Sequence, residues 1–129
     1  MQFHLSYSAK TYSILFRVIL VIFTAFYFLP TGINFHKFRI FHLPCDYLGH
    51  AFFCFILFFF YINSLNLKKG AGSLFFKLTL LLIIVNSFEF IQLLLPRRSF
   101  DLIDIFSNLS GILIGAVLAF LNKFLRLKM

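Results

Sequence analysis

Acid is what this chain has least of. Only four of its 129 residues are Asp or Glu, against twelve Lys and Arg, and charged residues of both signs make up just 12%. Cysteine is scarcer still, with Cys45 and Cys54 alone. Nine residues apart on one helix they would stand ~13 Å apart along its axis, beyond the ~7 Å that bridged Cα atoms tolerate. A disulfide between them is therefore excluded if both lie on the same helix. No Cys-x-x-Cys or His-x-x-x-His pair is present, which removes the commonest transition-metal frameworks. The first apolar run exceeds the usual signal core, and no small-x-small cleavage pattern follows it, since the chain continues Leu29-Pro30-Thr31-Gly32. It reads as an uncleaved first helix. No repeat or low-complexity stretch interrupts residues 1–129, which read as a single transmembrane domain.

What is abundant is apolar surface. Hydrophobic residues form 61% of the chain and the mean hydropathy is +0.96. A soluble domain of this size cannot hide so much Phe, Leu and Ile. Four stretches, 12–29, 47–62, 74–95 and 102–121, are apolar enough to span a bilayer, which takes about 20 residues, somewhat fewer at the short end. The expected fold class is an all-α membrane protein, a four-transmembrane-helix bundle with both termini cytoplasmic. The orientation follows from charge. The N-terminus, second loop and C-terminus carry Lys10, Arg17, Lys68, Lys69, Lys77, Lys123, Arg126 and Lys128 with no acid, whereas the first and third loops balance Lys37, Arg39, Arg97 and Arg98 against all four acids. The whole net charge of +8 thus falls on one face, the cytoplasmic one by the positive-inside bias. A pI near 9.9 invites a nucleic-acid partner. Bases clustered at segment ends are better matched to anionic lipid, so the expected partner is the bilayer and not nucleic acid.

Punctuation between the segments is clear. Pro30-Thr31-Gly32 ends the first, Lys68-Lys69-Gly70-Ala71-Gly72 is a cytoplasmic turn, and Pro96-Arg97-Arg98-Ser99 makes a tight outer loop. Residues 33–44 alternate Phe, His and bases and suit the headgroup level, His36 and His42 included. His4 reads as a lone exposed residue, and Asn63, Asn66 and Asn122 as helix-end residues.

The polar residues inside the apolar segments carry the functional information. Asp46 and His50 are four apart and share a helix face, as do Glu89 and Gln92 at a spacing of three. Asp101, Asp104, Asn108, Gly111 and Gly115 trace one stripe down the fourth segment. A carboxylate facing lipid costs several kcal/mol, so these groups should turn inward and meet partners at the same depth. A four-helix bundle would gather Asp46, His50, Glu89, Gln92, Arg98, Asp104 and Asn108 into one polar pocket under the outer surface. The same residues equally suit a fixed network that locks the bundle. Gly111-x-x-x-Gly115 is most simply a helix-packing face, and Asp101 a cap of the fourth helix.

A metal is not expected here. Asp, Glu and His are adequate ligands, but only one His lies in the pocket and Arg98 would repel a cation. No cofactor is implied and no catalytic residue is assignable: Ser99, Ser107 and Ser110 have no His beside them in sequence. A carboxylate/His pair beside Arg98 suits acid–base work on a phosphate or ester headgroup, without the spacing demanding it.

The run Glu89-x-x-Gln92-x-x-x-Pro96-x-Arg98-Ser99-Phe100-Asp101-x-x-Asp104-x-x-x-Asn108-x-x-Gly111-x-x-x-Gly115 closely resembles the signature of VanZ-like membrane proteins. Asp46-x-x-x-His50 resembles that family's earlier motif, with Tyr47 where the family usually carries a base. The resemblance spans Asp46 to Gly115, and the four-helix layout covers nearly the whole chain. It implies a multi-pass protein of the bacterial cytoplasmic membrane, in a family named for reduced susceptibility to teicoplanin, a glycopeptide bearing an acyl chain. Three readings follow: a non-enzymatic envelope protein that meets an amphiphile, a lipid or a lipid-linked precursor at the outer leaflet; a small membrane enzyme acting on a headgroup; or a structural accessory subunit of an envelope complex. The oligomeric state is left open.

Overall fold

The computed structural model describes residues 8–28, 37–40, 42–66, 70–92, 94 and 101–128. Four helices make up nearly all of it: α1 (Ala9–Phe28), α2 (Cys45–Ser64), α3 (Ala71–Gln92) and α4 (Leu102–Lys128). Between α1 and α2 lies a two-residue antiparallel ladder, β1 (Arg39–Ile40) with β2 (Leu43–Pro44), paired Arg39 to Pro44 and Ile40 to Leu43. His42 takes a positive φ of 68° to turn it. The stretch read as an interfacial segment is thus in part a small hairpin, tied to α2 where Cys45 N donates to Phe38 O at 2.8 Å.

Helix starts follow local chemistry. Ser8 opens α1 by accepting from Thr11 N at 3.2 Å, which satisfies one of the donors that a first turn leaves over. Pro44 precedes α2 in extended geometry (φ −57°, ψ 135°) and offers no side-chain cap, but Asp46 puts a carboxylate in the first turn, where the helix dipole favours negative charge. Asp101 caps α4 as expected, its Oδ1 accepting from Ile103 N at 2.8 Å.

The apolar stretches and the helices coincide to within a few residues except at the far end of α4. That helix runs to Lys128, well past the expected end at 121. Hydropathy stops where Lys123 and Arg126 enter. The helix does not, because Lys123 Nζ donates to Leu65 O, and Arg126 donates to Tyr12 OH while lying 5.0 Å from that ring's centre. Asn122, read as a helix-end residue, lies inside α4 and donates to Asn63 Oδ1 at 2.8 Å.

The core forms where the four helices meet: Phe23, Cys54, Leu57, Phe58, Ile62, Leu81, Val85, Ile112 and Ala119 pack together in it. Its tightest seam is between α2 and α4. A Cβ built on Gly111 would meet the Ala51 carbonyl oxygen and come within 2.8 Å of Ala51 C, and one on Gly115 would meet the Phe55 carbonyl oxygen and come within 3.1 Å of Phe55 C. Only glycine permits this approach, which is the close-packing use of a Gly-x-x-x-Gly step.

Among the described residues three helices are long and apolar enough to cross a membrane: Cys45–Ser64, Ala71–Ile91 and Leu102–Arg126. Of Ala71–Ile91 only Leu81, Val85 and Glu89 are buried, and large side chains such as Phe75, Phe76, Phe106 and Leu113 are exposed. Apolar surface on this scale is consistent with a lipid bilayer environment and not with water. Several hydroxyl residues of the four helices bond back to their own backbone, as Thr24 does to Leu20 O at 2.8 Å and Ser110 to Phe106 O at 2.9 Å, which satisfies these donors without a partner helix.

Candidate functional site

At the end of the bundle where α2 and α4 begin and α3 finishes, ionisable side chains of three helices meet one another. Asp46 and His50 come from the first two turns of α2, Glu89 from the last turn of α3, and Asp104 and Asn108 from the first two turns of α4. These five meet. Their spacings at i, i+3 and i+4 put each pair on one face, and the glycine seam brings α4 close enough to α2 for the faces to touch.

His50, only 7% exposed, stands at the centre. Its Nδ1 lies 3.2 Å from Glu89 Oε1 and 3.3 Å from Asn108 Oδ1. Asn108 Nδ2 donates to Glu89 Oε1 at 3.0 Å, which leaves Oδ1 as the acceptor facing the imidazole. With an acceptor in both positions, Nδ1 carries the proton. On the opposite edge of the ring, Nε2 faces Asp46 Oδ1 and Asp104 Oδ1, each at 3.6 Å, longer than a hydrogen bond. Glu89 and Asn108 are fully buried and Asp104 nearly so, whereas the Asp46 side chain keeps 26% exposure and forms the way out. Beside it, Tyr47 OH donates to Asp101 Oδ2 at 2.9 Å and joins the start of α2 to the start of α4.

Two contributors escaped the sequence reading. Cys54 Sγ donates to Asn108 Oδ1 at 3.2 Å, so this thiol is part of the polar network. Its place four residues after His50 was a usable sign, because Asp46, His50 and Cys54 form a single stripe. Tyr47 was noted only as a departure from a motif, and its hydroxyl turns out to bond Asp101. Among the other expected members, Gln92 closes α3 but its side chain lies outside the described residues, as does Arg98 altogether. Gly111 and Gly115 serve the helix seam below the cluster.

Chemically, the arrangement offers three carboxylates around a single imidazole in a largely buried recess. It can hold a cation, share protons among the acids, or grip a donor-rich ligand that enters past Asp46. Compared with protein-family models, with curated proteins and with solved structures, the chain matches none of them.

Proposed function

We propose that the protein is a VanZ-like component of the bacterial cytoplasmic membrane, with four membrane-spanning helices, both termini in the cytoplasm and the His50 cluster opening toward the outer leaflet. There it engages an amphiphile or a lipid-linked envelope molecule, and so lowers susceptibility to acylated glycopeptides of the teicoplanin type. The observation that carries this reading is the convergence of Asp46, His50, Glu89, Asp104 and Asn108 from three helices at one end of the bundle. Ionisable groups at such depth are retained for function more often than for stability. Arg98, at the Arg position of the resembled motif, supplies the guanidinium that would hold an anionic headgroup in two-pronged fashion. The eight bases free of acid on the N-terminal, second-loop and C-terminal flanks support the orientation.

One set of cells tests both parts. In intact cells or spheroplasts of a bacterial host, a membrane-impermeant maleimide is expected to label Cys45, the partly exposed thiol, without permeabilisation. Labelling only after permeabilisation inverts the orientation. In the same cells the wild-type chain should lower teicoplanin susceptibility and Asp104→Asn should restore it at equal membrane abundance. Equal protection by both chains would sink the functional reading.

A further inference from the structure

We infer that Asp46, His50 and Asp104 form a binding site for one divalent transition-metal ion, Zn²⁺ by preference. Their ligand atoms, two carboxylate oxygens and one ring nitrogen, all lie within 4.8 Å of one another, with Nε2 at 3.6 Å from each oxygen. Four-coordinate zinc with bonds of about 2.0–2.2 Å separates neighbouring ligand atoms by roughly 3.3–3.6 Å. The oxygens thus stand off Nε2 at the spacing an ion between them requires, and too far for a hydrogen bond.

Two further features point to a cation and not to a closed polar lock. The Asp104 side chain is 7% exposed, and its buried Oδ1 finds no hydrogen-bond partner among the described residues. That is the oxygen facing Nε2. The imidazole is also placed as a ligand: Glu89 Oε1 and Asn108 Oδ1 face Nδ1, and Nε2 on the opposite edge faces the two aspartates. A carboxylate behind a ligating histidine is the usual support of a metal-bound imidazole.

Three protein ligands with Asp46 at the exposed rim leave a fourth position open outward, as in zinc sites that bind water or an exogenous oxygen ligand. The absence of a second His or a Cys pair argued against a metal in the sequence, but a two-aspartate, one-histidine set assembled from two helices needs neither, and Arg98, expected to repel a cation, lies outside the described residues. Glu89 is a positioning residue here. The inference is independent of the amphiphile reading: loss of metal binding leaves that reading standing, and loss of phenotype leaves this one standing.

The test uses the full chain, purified in detergent without a polyhistidine tag, stripped with EDTA and dialysed against Zn²⁺ alone or Mn²⁺ alone, with bound metal measured by elemental mass spectrometry. The expected result is one Zn²⁺ per chain, held more tightly than Mn²⁺. His50→Ala, Asp104→Asn and Asp46→Asn should each lose the ion, whereas His42→Ala, at the exposed hairpin, should keep it. Glu89→Gln should retain one ion per chain with affinity weakened about 10–100-fold. Helicity by circular dichroism is checked for every variant, and if the buried substitutions unfold the chain, Asp46→Asn at the partly exposed rim decides. Absence of Zn²⁺ above background in the folded wild type, or Zn²⁺ retained by folded Asp46→Asn, overturns the site.

Discussion

The two ends of the bundle are polar in opposite ways. At the end where Asn63, Asn122, Lys123 and Arg126 gather, donors meet acceptors in closed pairs: amide to amide at 2.8 Å, ammonium to the carbonyl of Leu65, guanidinium to the Tyr12 hydroxyl and ring. The acceptors there are neutral. At the His50 end three carboxylates surround one imidazole, and Asp104 Oδ1 has no hydrogen bond among the described residues. The first end has the composition of a structural fastening. The second leaves Asp104 Oδ1, a buried acceptor, without a hydrogen bond among the described residues, a cost that a device serving only stability would not carry.

The contrast can be broken at the joint both ends share. Gly111→Leu would drive a side chain into the backbone of Ala51, so the α2–α4 seam must open. The expected loss is at or beyond the upper part of the roughly 1–3 kcal/mol typical of overpacking, with both ends disrupted together. Helicity and gel-filtration behaviour in detergent measure it. A folded, wild-type-like Gly111→Leu would mean that the seam is not what aligns Asp46 and His50 with Asp104 and Asn108.

A change confined to the Asn63 end should be milder and purely structural. Asn122→Leu strands Asn63 Oδ1, and leaving a buried acceptor unpaired costs about 1–2 kcal/mol. Thermal unfolding in detergent should show that loss, with metal binding and antibiotic phenotype unaltered once abundance is matched. If Asn122→Leu removed either property, the two ends would not be separable.

How much of this was legible beforehand differs between the same two ends. The stripes Asp46–His50 and Asp104–Asn108–Gly111–Gly115 follow from helical spacing, and the cost of a carboxylate in lipid turns them inward, so the cluster and the glycine seam were readable from local rules. What spacing does not carry is which atom faces which. That Glu89 and Asn108 sit behind Nδ1 while two aspartates flank Nε2 depends on how α3 and α4 are rotated about their axes. At the opposite end, hydropathy ends a helix at its first bases, whereas Lys123 and Arg126 extend α4 by placing their charged tips on a carbonyl and a tyrosine. The hairpin at Arg39–Pro44 rests on a His in positive φ, which has no sequence signal of the strength that Gly would give.

The central claim is that the His50 end is held for function at some expense of stability. It is tested most directly by the unfolding midpoint of Asp104→Asn against the wild type, both as full chains in detergent with EDTA present. Asn keeps the shape of Asp104 and removes one of three clustered negative charges. The account predicts that Asp104→Asn unfolds at a temperature equal to or a few degrees above that of the wild type, because no ion is present to repay the charge. A clearly lower midpoint would contradict it, and would make the cluster a structural lock like the pairs at the other end.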